Sequence, residues 1–312
     1  MPAEGFDFQA PVVPGGYRWW YLDALSNDGR HGLTVIAFIG SVFSPYYAWA
    51  GRKDPMNHLC LNVALYGSRA RWAMTERGHG ALERDERRLA IGPSSLSWDG
   101  DALTVEVEEI AVPLPRRVCG RIRLVPEAVT ERCFALDTKG RHRWWPLAPV
   151  GRVEVEMRSP DLQWSGPGYL DSNAGEEPLE TAFRFWSWAR AAHARGATVA
   201  YDAHRRDGGD ISLGLDFNRF GEIDEVELPP STQLRPGLWG VRRPARGDEG
   251  QIQLVRTFED APFYTRSQLS GRLCGRSVAA VHESLDLDRF ANPLVKLMLP
   301  FRMPRRTGRS RV

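Results

Sequence analysis

Glycine and proline set the first limit on what this chain can become. With 30 Gly and 22 Pro in 312 residues, long helices have little room. Between these breaks lie short segments of β-branched or alternating residues: LTVIAF (33–38), LCLNVALYG (59–67), SSLSWDGDALTVEVEEI (94–110) and GQIQLVRTFE (250–259). Asp99-Gly100 is a strong hairpin signal, and residues 195–218 read as a second hairpin turning at Asp207-Gly208-Gly209. One helical candidate comes late, at 287–301, interrupted by Pro293. Short strands at this spacing predict an all-β chain of barrels or sandwiches. A loose repeat relates 19–38 to 185–203: Trp-rich residues, a Gly-bearing turn, then an apolar strand with Thr-Val. Two matched halves would give two barrels joined near 160–180.

Charge and motifs exclude several functions. Lys and Arg number 41 against 39 Asp and Glu, so no global field favours nucleic acid. The basic end RMPRRTGRSRV (302–312) reads as a disordered tail, with attraction to anionic headgroups as a second use. Cys60, Cys119, Cys133 and Cys274 are widely spaced and read as reduced thiols of a cytoplasmic protein. Residues 1–16 lack the basic and apolar regions of a secretory signal, and the run 33–43 is too short to cross a bilayer. No phosphate-binding glycine loop, nucleophile elbow or His-Glu-x-x-His is present, so neither a cofactor nor a metal site is expected. Asp202, His204, Asp207 and Asp210 imitate a metal loop but belong to the hairpin turn.

Aromatic residues are the other unusual feature. The chain holds 11 Trp, clustered in YRWWY (17–21), RHRWWP (141–146) and FRFWSW (183–188). On an extended strand, His142 and Trp144 share one face, while Arg141, Arg143 and Trp145 take the other; Pro146 then ends regular pairing. The same alternation puts Tyr169 and Asp171 of GYLDS on one face. If the two faces meet, they form a pocket with a carboxyl, an imidazole and two π surfaces. A carboxyl walled by aromatics loses hydration, which favours its protonated form, and such an acid can protonate an alkene. The cation formed is stabilised by aromatic faces, and an imidazole can orient the acid or take a proton from water. The same residue types also serve as core His and Trp and as a turn Asp, and local sequence leaves both uses open. Trp20 and Tyr21 are candidates for a second wall, or for core.

Together, residues 17–52, RHRWWPLAP and GYLDSNAGEEPLE resemble the bacterial carotenoid 1,2-hydratases, also called hydroxyneurosporene synthases. The resemblance spans about 10–300 and implies two lipocalin-like β-barrels, here residues 1–165 and 166–312, the second with the C-terminal helix and basic tail. It implies cofactor-free addition of water across the terminal C1=C2 bond of acyclic carotenes such as neurosporene and lycopene. In that reading Asp171 is the proton donor, His142 orients it or assists water, and Trp144 and Tyr169 stabilise the cation. A membrane-dissolved substrate implies peripheral contact with the photosynthetic inner membrane, through 292–306 or the loop 44–53. The alternatives are a prenyl cyclase started by protonation and a non-catalytic lipid carrier.

Overall fold

Local sequence dictates the turns. Asp99 accepts the main-chain N–H groups of Asp101 and Ala102 (2.8 and 2.7 Å), and Gly100 takes φ +109°, so the chain reverses there as its residue types predict. In the computed structural model, which describes residues 4–306, two compact units result. The first runs to Pro178 and regains the chain from Leu297; the second is Leu179–Lys296.

The first unit contains β1 (Tyr17–Leu25), β2 (Gly32–Ile39), α1 (Pro45–Trp49), β3 (Leu59–Tyr66), β4 (Arg71–Arg77), β5 (Leu82–Arg84), β6 (Arg88–Ile91), β7 (Ser94–Trp98), β8 (Leu103–Ile110), β9 (Arg117–Pro126), β10 (Phe134–Ala135), β11 (His142–Ser159) and β12 (Asp161–Gly175). The second contains α2 (Leu179–Ala182), β13 (Phe183–His193), β14 (Gly196–Arg205), β15 (Asp210–Asn218), β16 (Ile223–Glu225), β17 (Ser231–Leu234), β18 (Arg243–Arg246), β19 (Gln253–Asp260), β20 (Tyr264–Leu273), β21 (Arg276–Asp286) and α3 (Leu287–Ala291). Then come α4 (Pro293–Met298) and β22 (Arg305–Arg306). Pro293 opens α4 rather than lying inside a longer helix, as its missing N–H requires.

The first sheet has the order β22-β4-β3-β2-β1-β12-β11-β9-β8-β7-β6-β5, with β10 on β11; the second has β16-β15-β14-β13-β21-β20-β19, beside a β17–β18 hairpin. The expected boundary at 165/166 would cut β12 in two. That strand pairs with β11 on one side and β1 on the other, so it belongs wholly to the first unit. The C-terminal segment likewise belongs to the first unit rather than the second. β22 pairs parallel with β4, and Arg305 is bonded to the buried Glu76. Residues 307–312 of the basic tail lie outside the described residues.

The first sheet curls until β4 meets the end of β8. There the Val112 N–H donates to Trp72 O (2.9 Å), and Arg77 Nη2 donates to Glu109 Oε2 (2.7 Å). Inside the curl lies an apolar core that includes Trp20, Leu33, Val63, Val105, Ile122, Trp145 and Val153. β8 feeds it by strict alternation, but β1 is buried at all nine positions, so the sheet's centre is covered on both faces.

Arg77 and Glu109 are both buried, and burial pushes the Glu109 carboxyl above its ordinary range despite the guanidinium beside it. Arg77→Ala strands that carboxylate. We expect urea unfolding to show a loss of about 3–5 kcal/mol. A loss below about 1 kcal/mol would mean that the pair does not hold the curl.

Candidate active site

The second covered face of the first sheet carries the predicted residues. The registers of β11, β12 and β1 line them up in levels: His142, Gly175 and Tyr17; then Trp144, Asn173 and Trp19; then Asp171 and Tyr21; then Tyr169 and Asp23. Opposite Asp171 the β11 register breaks between Trp145 and Ala148, at the Pro146 that cannot donate a ladder bond. The strand continues beyond it to Ser159.

Asp171 is 5% exposed. Its Oδ2 accepts two hydrogen bonds, from Trp144 Nε1 (2.9 Å) and Tyr169 OH (2.8 Å), and Asn173 Nδ2 approaches Oδ1 at 3.4 Å. Burial first, then the neighbouring Asp171 carboxylate, pushes the Tyr169 phenol well above its ordinary pKa, so it remains a donor. Around this centre the rings gather in contacting pairs. Tyr21 meets Tyr169 edge-on at 6.2 Å, Tyr17 stacks on Trp19 at 4.8 Å, and Phe134 lies 5.4 Å from Trp144.

Two expectations need correction. His142 is not beside Asp171: it stands opposite Gly175, four residues along β12 and therefore about 13 Å away between Cα atoms. Tyr17 OH is 2.8 Å from His142 Nδ1, Glu177 Oε1 is 3.7 Å from Nε2, and the His142 main-chain N–H donates to Asp137 Oδ2 (2.6 Å). Trp144, Tyr169 and Asn173 hold the carboxyl instead. Trp20 is not in this wall either. Adjacent strand residues face opposite ways, so Tyr21 lies with Asp171 while Trp20 enters the core, against Phe8 at 4.8 Å, with its Nε1 donating to Gly5 O (2.8 Å).

Sequence reasoning missed Tyr17, Asn173, Gly175 and Glu177. The signal was present: Tyr17, Trp19, Tyr21 and Asp23 alternate through YRWWYLD. Gly175 allows the His142 contact, because a Cβ there would come within 2.3 Å of the Tyr17 ring. In the second unit's hairpin that imitates a metal loop, Asp202 pairs with Arg246 (2.7 Å) and His204 with Asp210 (2.9 Å). All four cysteines are free.

Comparison with known proteins decides the family. A profile described as carotenoid hydratase CrtC matches residues 35–311. The chain belongs to that family. It is 56% identical over 313 residues to the acyclic carotenoid 1,2-hydratase of Thiocapsa roseopersicina, covering 98% of this chain and 77% of that one. The enzyme of the same name from Rubrivivax gelatinosus is 51% identical over 307 residues, covering 96% and 76%. Among solved structures, kievitone hydratase from Nectria haematococca is similar in fold, with a TM-score of 0.55 at 10% identity, covering 92% of this chain and 97% of that one.

Burial lowers the His142 pKa below the usual imidazole value, against the pull of Asp137 and Glu177, so the ring is neutral at pH 7. With Nε2 toward the Glu177 carboxylate, the proton belongs on Nε2, and Nδ1 accepts from Tyr17. Nitrogen-15 NMR should therefore show the Nε2–H tautomer in the native chain. In Gly175→Ala and Tyr17→Phe that preference should weaken. An Nδ1–H tautomer in the native chain would contradict the arrangement.

Proposed function

We propose that the chain is an acyclic carotenoid 1,2-hydratase and that Asp171 supplies the proton. Family membership carries the reaction class, and the observation that carries the residue assignment is the buried Asp171 carboxyl with both donors on Oδ2. The proton rides on Oδ1 and passes to C2 of the terminal double bond, leaving the tertiary cation at C1. The carboxylate left behind is already met by Trp144 Nε1–H and Tyr169 O–H, so charge develops where donors are in place. Faces of Tyr21, Tyr169 and Trp144 stabilise the cation. Water adds at C1, and its surplus proton returns to Asp171, giving a tertiary alcohol and the starting acid. His142, with Tyr17 and Glu177, forms the far end of the aromatic row and supports its geometry rather than holding the acid.

The same reading treats the two units as two lipocalin-like barrels, supported by the curl of the first sheet and the separate seven-stranded sheet of the second. It also includes peripheral contact with the membrane that dissolves the carotene. No helix among the described residues is long and apolar enough to cross a bilayer. Leu294, Leu297 and Phe301 are 69%, 58% and 81% exposed, near Lys296 and Arg302, and Trp49 on α1 is 53% exposed. Exposed apolar groups beside the exposed cation Arg302 suit an interfacial segment, whereas Lys296 is held by Glu180 (3.0 Å). Leu294→Ser with Phe301→Ser should reduce flotation with anionic liposomes, and unchanged flotation would remove this segment from the docking surface.

Lycopene turnover in heavy-oxygen water tests the reaction. The native chain should place the labelled oxygen in its product, which separates hydration from ring closure and from carriage without chemistry. Asp171→Asn should fold, by circular dichroism, yet lose activity by at least about 100-fold. Trp144→Phe, which keeps a ring but removes one donor, should lose about tenfold, and Trp144→Ala more. A folded Asp171→Asn with substantial turnover would sink the assignment.

A further inference from the structure

One turn of the second unit holds apolar side chains out in water. Between β17 and β18 the chain reads Arg235-Pro236-Gly237-Leu238-Trp239-Gly240-Val241-Arg242. Leu238 is 96% exposed and Trp239 49%, whereas Val241, two residues after Trp239, is fully buried. A lone exposed leucine on a surface needs no explanation. A fixed turn that presents one beside a tryptophan does.

Asp260, Arg289 and Arg243 fasten this turn. The Leu238 N–H donates to Asp260 Oδ2 (2.6 Å), while the Gly237 and Gly240 N–H groups donate to Val241 O (3.2 Å) and Gly237 O (2.9 Å). The Arg289 guanidinium, from α3, donates to Trp239 O (2.6 Å) and Gly240 O (3.4 Å). Arg243 is 2% exposed, lies 3.6 Å from Asp260 and donates to Arg235 O (3.2 Å). The clamp needs glycine at 237, because a Cβ there would come within 2.5 Å of the Asp260 carboxylate. Side chains on a backbone held this way lose little freedom when they meet a partner, which favours binding.

Charge indicates the kind of partner. Residues 231–247 include four arginines and no acidic residue. Arg243 is paired with Asp260, and Arg246 with Asp202 (2.7 Å). Arg235 and Arg242, one on each side of the Leu-Trp pair in the chain, are exposed and have no carboxylate partner among the described residues. At a lipid surface, tryptophan settles at headgroup level, leucine reaches the acyl boundary and arginine meets the phosphates. Arg289 also ties the turn to α3, whose chain continues into α4 and the exposed Leu294.

We propose that the turn at 236–240 is an insertion tip for an anionic lipid surface. Leu238 and Trp239 enter the boundary between headgroups and acyl chains, and Arg235 and Arg242 contact lipid phosphates. This rests on the reading of the chain as a peripheral enzyme whose hydrocarbon substrate is dissolved in the membrane. It gives a task to the second unit, which holds none of the residues assigned to hydration: keeping the enzyme on the surface that supplies the carotene.

Flotation of the full chain with phosphatidylcholine vesicles, with and without phosphatidylglycerol, tests the tip. The native chain should bind both kinds and prefer the anionic ones. Leu238→Ser should weaken binding to both about tenfold, the loss expected when one leucine is withheld from an apolar phase. Arg235→Gln/Arg242→Gln should lose about 30-fold on anionic vesicles and little on neutral ones. Because Leu238 is already in water in the free protein, Leu238→Ser should keep the native melting temperature. Lycopene turnover in detergent should be unchanged in these variants, which separates docking from hydration. A native chain that turns over lycopene yet does not float, or flotation that the variants leave unaltered, would overturn the tip while hydration stands. Flotation lost in the variants of a chain that hydrates nothing would support the tip and remove the hydratase reading. A Leu238→Ser chain that floats as before but falls from dimer to monomer in sedimentation would overturn the tip and assign the turn to a second copy.

Discussion

Everything assigned to Asp171 depends on two hydrogen bonds converging on one of its oxygens. A carboxyl that gives its proton to a hydrocarbon must be kept from water, yet the anion it becomes must be met at once. Here an indole N–H from β11 and a phenol from β12 reach Oδ2 together. That convergence requires β12 to pair with β11 in the observed register, which holds through Trp145 and breaks only beyond it, where Pro146 lies. The wall of Tyr21 and Trp19 needs β1 on the other side of β12. The rest of the first unit can be understood as the support for this three-strand centre, covered on both faces.

The parts that sequence made legible are those governed by local rules. Asp99-Gly100 announces its turn, and Leu103–Ile110 announces its buried face, because both depend on residues that are neighbours in the chain. Strand alternation also put Tyr169 with Asp171 and His142 with Trp144 on common faces. What alternation cannot give is the level at which strands meet. It therefore left His142 free to be imagined beside Asp171, when β-ladder register sets it opposite Gly175. Applied consistently, the same rule would have sent Trp20 to the core, because Tyr21 next to it faces the acid.

Long-range pairing accounts for the other differences. GYLDS looks like the start of a second half, but its partners include Asp23 and Tyr21, nearly 150 residues earlier, so the division falls after Pro178. Arg305 belongs to the first unit because the buried Glu76 draws it back to β4.

The central claim is that one fixed acid delivers the proton, and the face of delivery tests it most directly. Lycopene turned over in deuterium oxide should acquire one deuteron at C2, all in a single configuration, as deuterium NMR in a chiral medium would show. A carboxyl anchored through Oδ2 can approach only one face of the double bond. Deuterium on both faces of C2 would contradict the account, because protonation would then come from mobile solvent rather than from Asp171.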